Sequence, residues 1–214
     1  MFQLWDFDVA RYLPSGWDSE IREIASKHSK SVILVPTSIT SRELDPNLTL
    51  ETLVVDGAVV AEHLPWFFEL YQGIFRELGQ RCVSEELTIA RDTIQAVNLN
   101  IQRGQKMRYE CHVDSCFLTG ILYATPCQPG TGGELVISLD QNALGPEQIE
   151  RRSHIVQPET GRLLFFEGSK NPHFVRPLIH GAERISVVMS YFSHSFPEKD
   201  RAPDLRRHLY VGKK

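Results

Sequence analysis

The sequence predicts a mainly β fold with N-terminal helices, built on a double-stranded β-helix core of the jelly-roll, cupin-like kind. Three observations lead there. From Asp92 onward about eight short runs either alternate in polarity or are rich in β-branched and aromatic residues, and Gly or Pro turn signals bound them. The connections between these runs show no crossover helices, which argues for antiparallel pairing, and eight strands so joined suit a jelly roll. Helical periodicity is confined to the first part of the chain.

Met1 to Leu13 is an aromatic-containing entry segment. Ser15, with Asp18 three residues on, reads as the cap of a helix from about Gly16 to Ser29, in which Ile21, Ile24 and Ala25 recur at helical spacing. SVILVP, from Ser31, reads as a short buried strand. Pro36 to Leu50 is rich in Ser, Thr, Pro and Asp and is expected to be a loop, either a lid or a plain connector. Pro65 opens a second helix, Phe67, Leu70, Tyr71, Ile74 and Leu78 line one face of it, and Gly79 ends it. The strand runs are TIQAVNLNIQRG, MRYECHV, FLTGILYAT, GGELVISL, HIVQPETG, RLLFFEG, HFVRPL and RISVVMSYF. One domain is expected over 1–214, with helical support and a candidate lid over 1–91, the jelly-roll catalytic core over 92–193 and a tail over 194–214.

Composition bounds the function. The 214 residues suffice for one full core. The 23 basic and 27 acidic side chains are spread along the chain, so no polybasic face announces a nucleic-acid or membrane partner. No apolar run approaches the ~20 residues of a membrane span and no leader pattern follows Met1, so a cytoplasmic protein is expected. Four cysteines without a C-x-x-C spacing read as reduced, mostly buried thiols.

The chemistry centres on His112 and Asp114. Two residues apart in an extended segment, they share a face and converge on one point. His173, opening the HFVRP run, is the expected third ligand, and two His with one carboxylate on one side of a metal leave positions open, as in non-haem Fe(II) oxygenases. Arg184 follows eleven residues later, with Ser186 on the same strand face. A guanidinium there can hold the distal carboxylate of a diacid bidentately, with the serine hydroxyl adding a hydrogen bond. Asn98 and Asn100 alternate with apolar neighbours, so both face the barrel interior and need partners, either a ligand or each other's surroundings. Arg103 and Arg108 are read either as grips for a substrate carboxylate or as exposed salt bridges. His63 reads as a helix-start or surface residue, His180 as a turn residue, and His154, His194 and His208 as surface or core residues.

His112-x-Asp114, then His173, then Arg184-x-Ser186, with GGEL at Gly132 to Leu135 between them, resembles the Fe(II)- and 2-oxoglutarate-dependent dioxygenase superfamily over roughly Thr93 to Phe192. NLNIQRGQKMRYECHVDS followed by GILYAT and GGEL is most similar to its small enzymes acting on free amino acids, the group of the radical lysine halogenases and their hydroxylase relatives. The halogenases replace the carboxylate by Gly or Ala, so the retained Asp114 implies a hydroxylase. The resemblance implies Fe(II) on His112, Asp114 and His173, 2-oxoglutarate held by Arg184 with Ser186 and Asn98, and O2 as oxidant. It implies substrate contacts from Tyr109 and Ser115, beside Asn100 and Arg103, and a mouth covered by Ser190, Tyr191 and the DLRRHLYV segment. Tyr109 and Ser115 differ in type from their counterparts in the lysine halogenases. The implied reaction hydroxylates an unactivated C–H bond of a free amino acid or similar small polar metabolite, with succinate and CO2 as coproducts. Desaturation, ring closure or a peptidyl substrate is the alternative outcome, and a metal-binding cupin-like protein without oxygenase activity the more remote one. The sequence is silent on oligomeric state.

Overall fold

All eight of the runs after Asp92 form strands. The computed structural model describes residues 2–104, 107–179 and 181–206. In chain order the elements are β1 (Leu4–Asp8), α1 (Trp17–His28), β2 (Lys30–Leu34), β3 (Leu50–Val55), α2 (Gly57–His63), α3 (Pro65–Gln72), α4 (Ile74–Cys82), β4 (Thr88–Ile89) and α5 (Thr93–Ala96). They continue with β5 (Val97–Arg103), β6 (Tyr109–His112), β7 (Leu118–Tyr123), β8 (Leu135–Ser138), α6 (Gly145–Arg151), β9 (Ser153–Val156), β10 (Arg162–Phe166), β11 (His173–Val175) and β12 (Glu183–Phe192).

Two antiparallel sheets face each other. The larger runs β1-β10-β7-β12-β5-β3-β2, with β4 paired to the end of β12, and the smaller runs β6-β11-β8-β9. Strands β5 to β12 divide four and four between the sheets, which is the jelly-roll arrangement. Apolar side chains are then distributed over three layers. Ile21, Phe67, Tyr71 and Phe75 of the helices pack with Leu118, Leu122, Phe165 and Val187 on the outer face of the larger sheet. Ile121, Tyr123, Leu135, Ile137, Phe166 and Val175 fill the space between the sheets. Cys111, Val136, Ile149 and Phe174 meet on the outer face of the smaller sheet. Strand β7 is covered on both faces, which is why FLTGILYAT reads as an apolar run rather than as an alternation.

The N-terminal segment is more than helical support, because β1, β2 and β3 extend the larger sheet on both sides. In β2 only Val32 and Leu34 are buried, so the strand is half-buried rather than fully covered. The expected helix from Pro65 is broken at Gly73, whose φ of −102° and ψ of −104° are non-helical, and Ile74 turns out to solvent at 55 % exposure. Gly79 does not end the second piece. It lies inside α4, where a Cβ would come within 3.2 Å of Leu87, Leu118 and Phe165, so its missing side chain lets the helix approach the sheet. The loop after Pro36 runs along the free edge of β6. Arg42 N–H donates to Cys111 O at 2.6 Å, Val113 N–H to Thr40 O at 2.9 Å, and the Glu43 carboxylate accepts from Cys111 N and Arg108. Among the described residues no helix is long and apolar enough to cross a membrane.

Candidate active site

Pairing of β6 with β11 sets His112 directly opposite His173, with ring centroids 4.3 Å apart. Asp114 lies just beyond the end of β6, where its N–H donates to Gly168 O at 3.0 Å. Ligand atoms of the three side chains fall within 4.8 Å of one another. His112 Nε2 is 3.3 Å from Asp114 Oδ1, and His173 Nε2 is 3.5 Å from Oδ2. Each ring's Nδ1 meets a backbone carbonyl, Glu110 O at 2.8 Å and Asn171 O at 2.9 Å. A carbonyl only accepts, so both Nδ1 carry the proton and both Nε2 lone pairs face inward, as a metal requires.

Burial by itself would raise the Asp114 carboxyl, but His173 and His112 beside it hold it well below the usual carboxylate range. Burial likewise disfavours a charged His112, and Asp114 together with Glu110 more than offsets it, so its pKa is raised. The carboxylate therefore stays ionised, ready to neutralise a cation. Thr119, pointing inward from β7, donates its hydroxyl to Asp114 Oδ2. Thr119→Val is expected to lower metal affinity by about 10- to 100-fold, as removal of an outer partner of a ligand does. A Ni(II) titration of the purified variant checks this. Two imidazoles and a carboxylate on one side of a point suit a divalent iron and leave room for further ligands.

Arg184, near the start of β12, is 2 % exposed. Its Nη1 donates to Ser186 Oγ at 3.0 Å and approaches Gln102 Oε1 at 3.5 Å, and its guanidinium carbon lies 5.2 Å from the centre of the Tyr123 ring. The Nε–H is buried without a partner, and among the described residues no carboxylate pairs with this side chain. A buried cation with a spare donor suits an anionic ligand. The GGEL motif serves it structurally. Gly133, at φ +83°, lies where a Cβ would stand 2.8 Å from Cys127 Sγ and 3.5 Å from Arg184 Cδ, so the turn can pack against the arginine stem.

The triad and Arg184 line one cavity between the sheets. Ser186, Asn98, Asn100, Tyr109 and Ser115 also line it. Asn98 Nδ2 donates to Asn100 Oδ1 at 2.6 Å, so these two amides meet each other. Tyr109 sits with its ring 5.1 Å from that of His112, and Ser115 Oγ accepts from Ala202 N at 2.6 Å.

Arg103 is a correction. It does not line the cavity but pairs with Glu183 at 2.5 Å, because Asn98, Asn100 and Gln102 occupy the inward parity of β5 and residue 103 takes the opposite face. Arg108 is likewise committed to Glu43, at 2.7 and 3.1 Å. The same parity separates Ser190, which lines the cavity, from Tyr191, which turns to the helices and donates to Tyr71 O. His63 stacks on His28 with centroids 4.4 Å apart. His180, His208 and the end of DLRRHLYV lie outside the described residues.

Sequence reasoning missed Thr119, Gly168, Gln95, Gln102 and Arg201. Thr119 and Gln102 carried a signal, since each falls on the inward parity of a run already read as a strand. Gly168 and Arg201 lie in connections, where no period operates.

Residues 96–192 match the family model described as the 2OG-Fe(II) oxygenase superfamily. No curated protein sequence matches the chain. Among solved structures, an oxidoreductase of the 2OG-Fe(II) oxygenase family from Burkholderia pseudomallei superposes with a TM-score of 0.62 at 15% identity, covering 93% of this chain and 89% of its own. HygX from Streptomyces hygroscopicus, solved with nickel and 2-oxoglutarate bound, gives 0.60 at 13%, over 92% and 85%. A prolyl hydroxylase from Trichoplax adhaerens, in complex with a hypoxia inducible factor peptide fragment, gives 0.55 at 18%, over 92% and 85%. At such identities the superpositions establish a shared fold. The family match spans the triad and Arg184, and it supports the superfamily for this chain. Together the family match and the His112, Asp114 and His173 cluster support a 2-oxoglutarate-dependent dioxygenase, with Fe(II), 2-oxoglutarate and O2 as the cofactors that family uses.

Proposed function

We propose that the enzyme hydroxylates an unactivated C–H bond of a free amino acid or a similar small polar metabolite in the cytoplasm, with residues 92–193 as its catalytic core. The carrying observation is one cavity that holds, on its walls, a two-His, one-Asp cluster and a buried arginine with no counter-ion among the described residues. His112, Asp114 and His173 would hold iron, their tautomers fixed by the two backbone carbonyls. Arg184 would take the distal carboxylate of 2-oxoglutarate, with the Ser186 hydroxyl and Asn98 completing the polar lining. Bound iron, 2-oxoglutarate and O2 supply the oxidising equivalents for C–H cleavage and leave succinate and CO2. Ser115, Tyr109 and Asn100 line the remaining wall and orient the substrate, while the apolar Ile121, Leu135, Val175 and Val188 limit the water reaching it.

The test is succinate formation from 2-oxoglutarate with Fe(II) and ascorbate, screened over the free proteinogenic amino acids with mass detection. One added oxygen in the product marks hydroxylation, whereas loss of two hydrogens marks desaturation or ring closure. Arg184→Met is expected to raise the KM for 2-oxoglutarate by about 100-fold, the scale for removing one partner of a buried charge pair. An unchanged KM would move the co-substrate elsewhere.

A further inference from the structure

We propose that Arg201 is the anchor for a carboxylate on the substrate, which makes the enzyme's substrates small free acids. This rests on the oxygenase reading above, in which Arg184 is already taken by 2-oxoglutarate.

Arg201 lines the same cavity as the triad. Its Nη1 donates to Gln95 Oε1 at 2.6 Å, its Nη2 reaches Gln95 O at 3.4 Å, and its guanidinium carbon lies 4.7 Å from the centre of the Phe192 ring. These contacts hold the group flat and use two of its five donors. Its Nε–H is buried without a partner, and among the described residues no carboxylate pairs with it. The nearby acid Glu198 is committed elsewhere, accepting from Arg91 N at 2.9 Å and Asp92 N at 3.1 Å. A fixed, partly sheltered cation with spare donors and no counter-ion is costly unless an anion completes it, and the planar fork suits a carboxylate.

Register separates this site from the co-substrate's. Gln102 lies opposite Arg184 at the start of β12, whereas Val97, two residues after Gln95, lies opposite Met189 toward its other end. Each guanidinium is thus tethered to a glutamine at one end of β5, and the strand between Val97 and Gln102 spans roughly 17 Å. Ser190 lies opposite Thr119, the partner of Asp114, so the triad sits at the Arg201 end of that span. One diacid reaching from Arg184 to the metal leaves Arg201 for a second anion. The segment carrying Arg201 is pinned beside Asp114, since Ala202 N donates to Ser115 Oγ at 2.6 Å. A free amino acid presents a carboxylate there, while an internal peptide residue has none to offer.

The experiment compares wild type, Arg201→Met, Arg201→Lys and Arg184→Met. Succinate formation is measured with the free proteinogenic amino acids and with their carboxamides. 2-Oxoglutarate affinity is measured calorimetrically on the Ni(II)-loaded protein. Expected are stimulation by one or more acids but not by the matching carboxamide, and in Arg201→Met a rise of about 100-fold in KM for that acid. Affinity for 2-oxoglutarate should stay within about twofold in the same variant, which also shows that it is folded, and Arg201→Lys should recover part of the loss. Equal stimulation by acid and carboxamide, no stimulation by any acid, an unchanged KM in Arg201→Met, or loss of 2-oxoglutarate affinity there would each overturn the assignment. Arg184→Met with intact 2-oxoglutarate affinity would instead defeat the co-substrate reading, leaving the contrast between acid and carboxamide to stand or fall for Arg201 alone.

Discussion

Replacing His173 by alanine should leave a folded protein with no detectable oxygenase activity. The side chain is 4 % exposed and sits edge-on to Phe166, with ring centroids 5.1 Å apart, so its removal opens a small space in a sheet interior that otherwise keeps its pairing. What is lost is one of two nitrogen donors, leaving His112 and Asp114 as an incomplete grip. Nickel affinity should fall by at least the ~100-fold that loss of an outer-shell partner alone can cost. Near-wild-type circular dichroism with abolished Ni(II) binding is the expected pair of results. Retained affinity would show that the later imidazole is not a ligand.

Gly168→Ala should have a comparable effect without replacing any ligand. A Cβ at this position would lie 2.0 Å from Asp114 Oδ2 and 2.5 Å from Thr119 Oγ1. Two responses are available. Moving the backbone at 168 disturbs the bond from Asp114 N to Gly168 O, at an overpacking cost of about 1–3 kcal/mol. Swinging the carboxylate aside costs less in stability but takes Oδ2 away from Thr119 and from the point the two imidazoles address. The expected outcome is therefore a modest fall in melting temperature with a nickel affinity lowered by about 100-fold, on the same scale as above. A variant that binds nickel as wild type does would mean that Asp114 works from a different rotamer.

The core was legible because its signals are local. Turn residues separate most strands of the jelly roll, although α5 leads straight into β5 and α6 stands between β8 and β9, against the expectation of helices in the first part of the chain alone. The two-residue period puts His112 with Asp114, and Arg184 with Ser186, on common faces. Of the two readings open for Arg103 the salt bridge is the one seen, since parity in β5 is fixed by pairing with β12 rather than by the side chains themselves. The helix from Pro65 is misread at Gly73, which the reading runs through, and at Gly79, which it takes as the end. The apolar spacing from Pro65 onward is continuous, and only the approach of α4 to Leu118 and Phe165 explains why the second glycine lies mid-helix. Gln95 and Arg201 become neighbours through tertiary structure, 106 positions apart in the chain, and no local pattern announces such a meeting.

The cavity divides its labour between two kinds of support. His112, His173 and Arg184 are mounted on hydrogen-bonded strands of the two sheets, whereas Gln95, Ser115, Arg201 and Leu205 reach the cavity from a short helix and from connecting segments. Substitutions in those peripheral stretches can therefore reshape the cavity wall while the strand-mounted cluster stays in place.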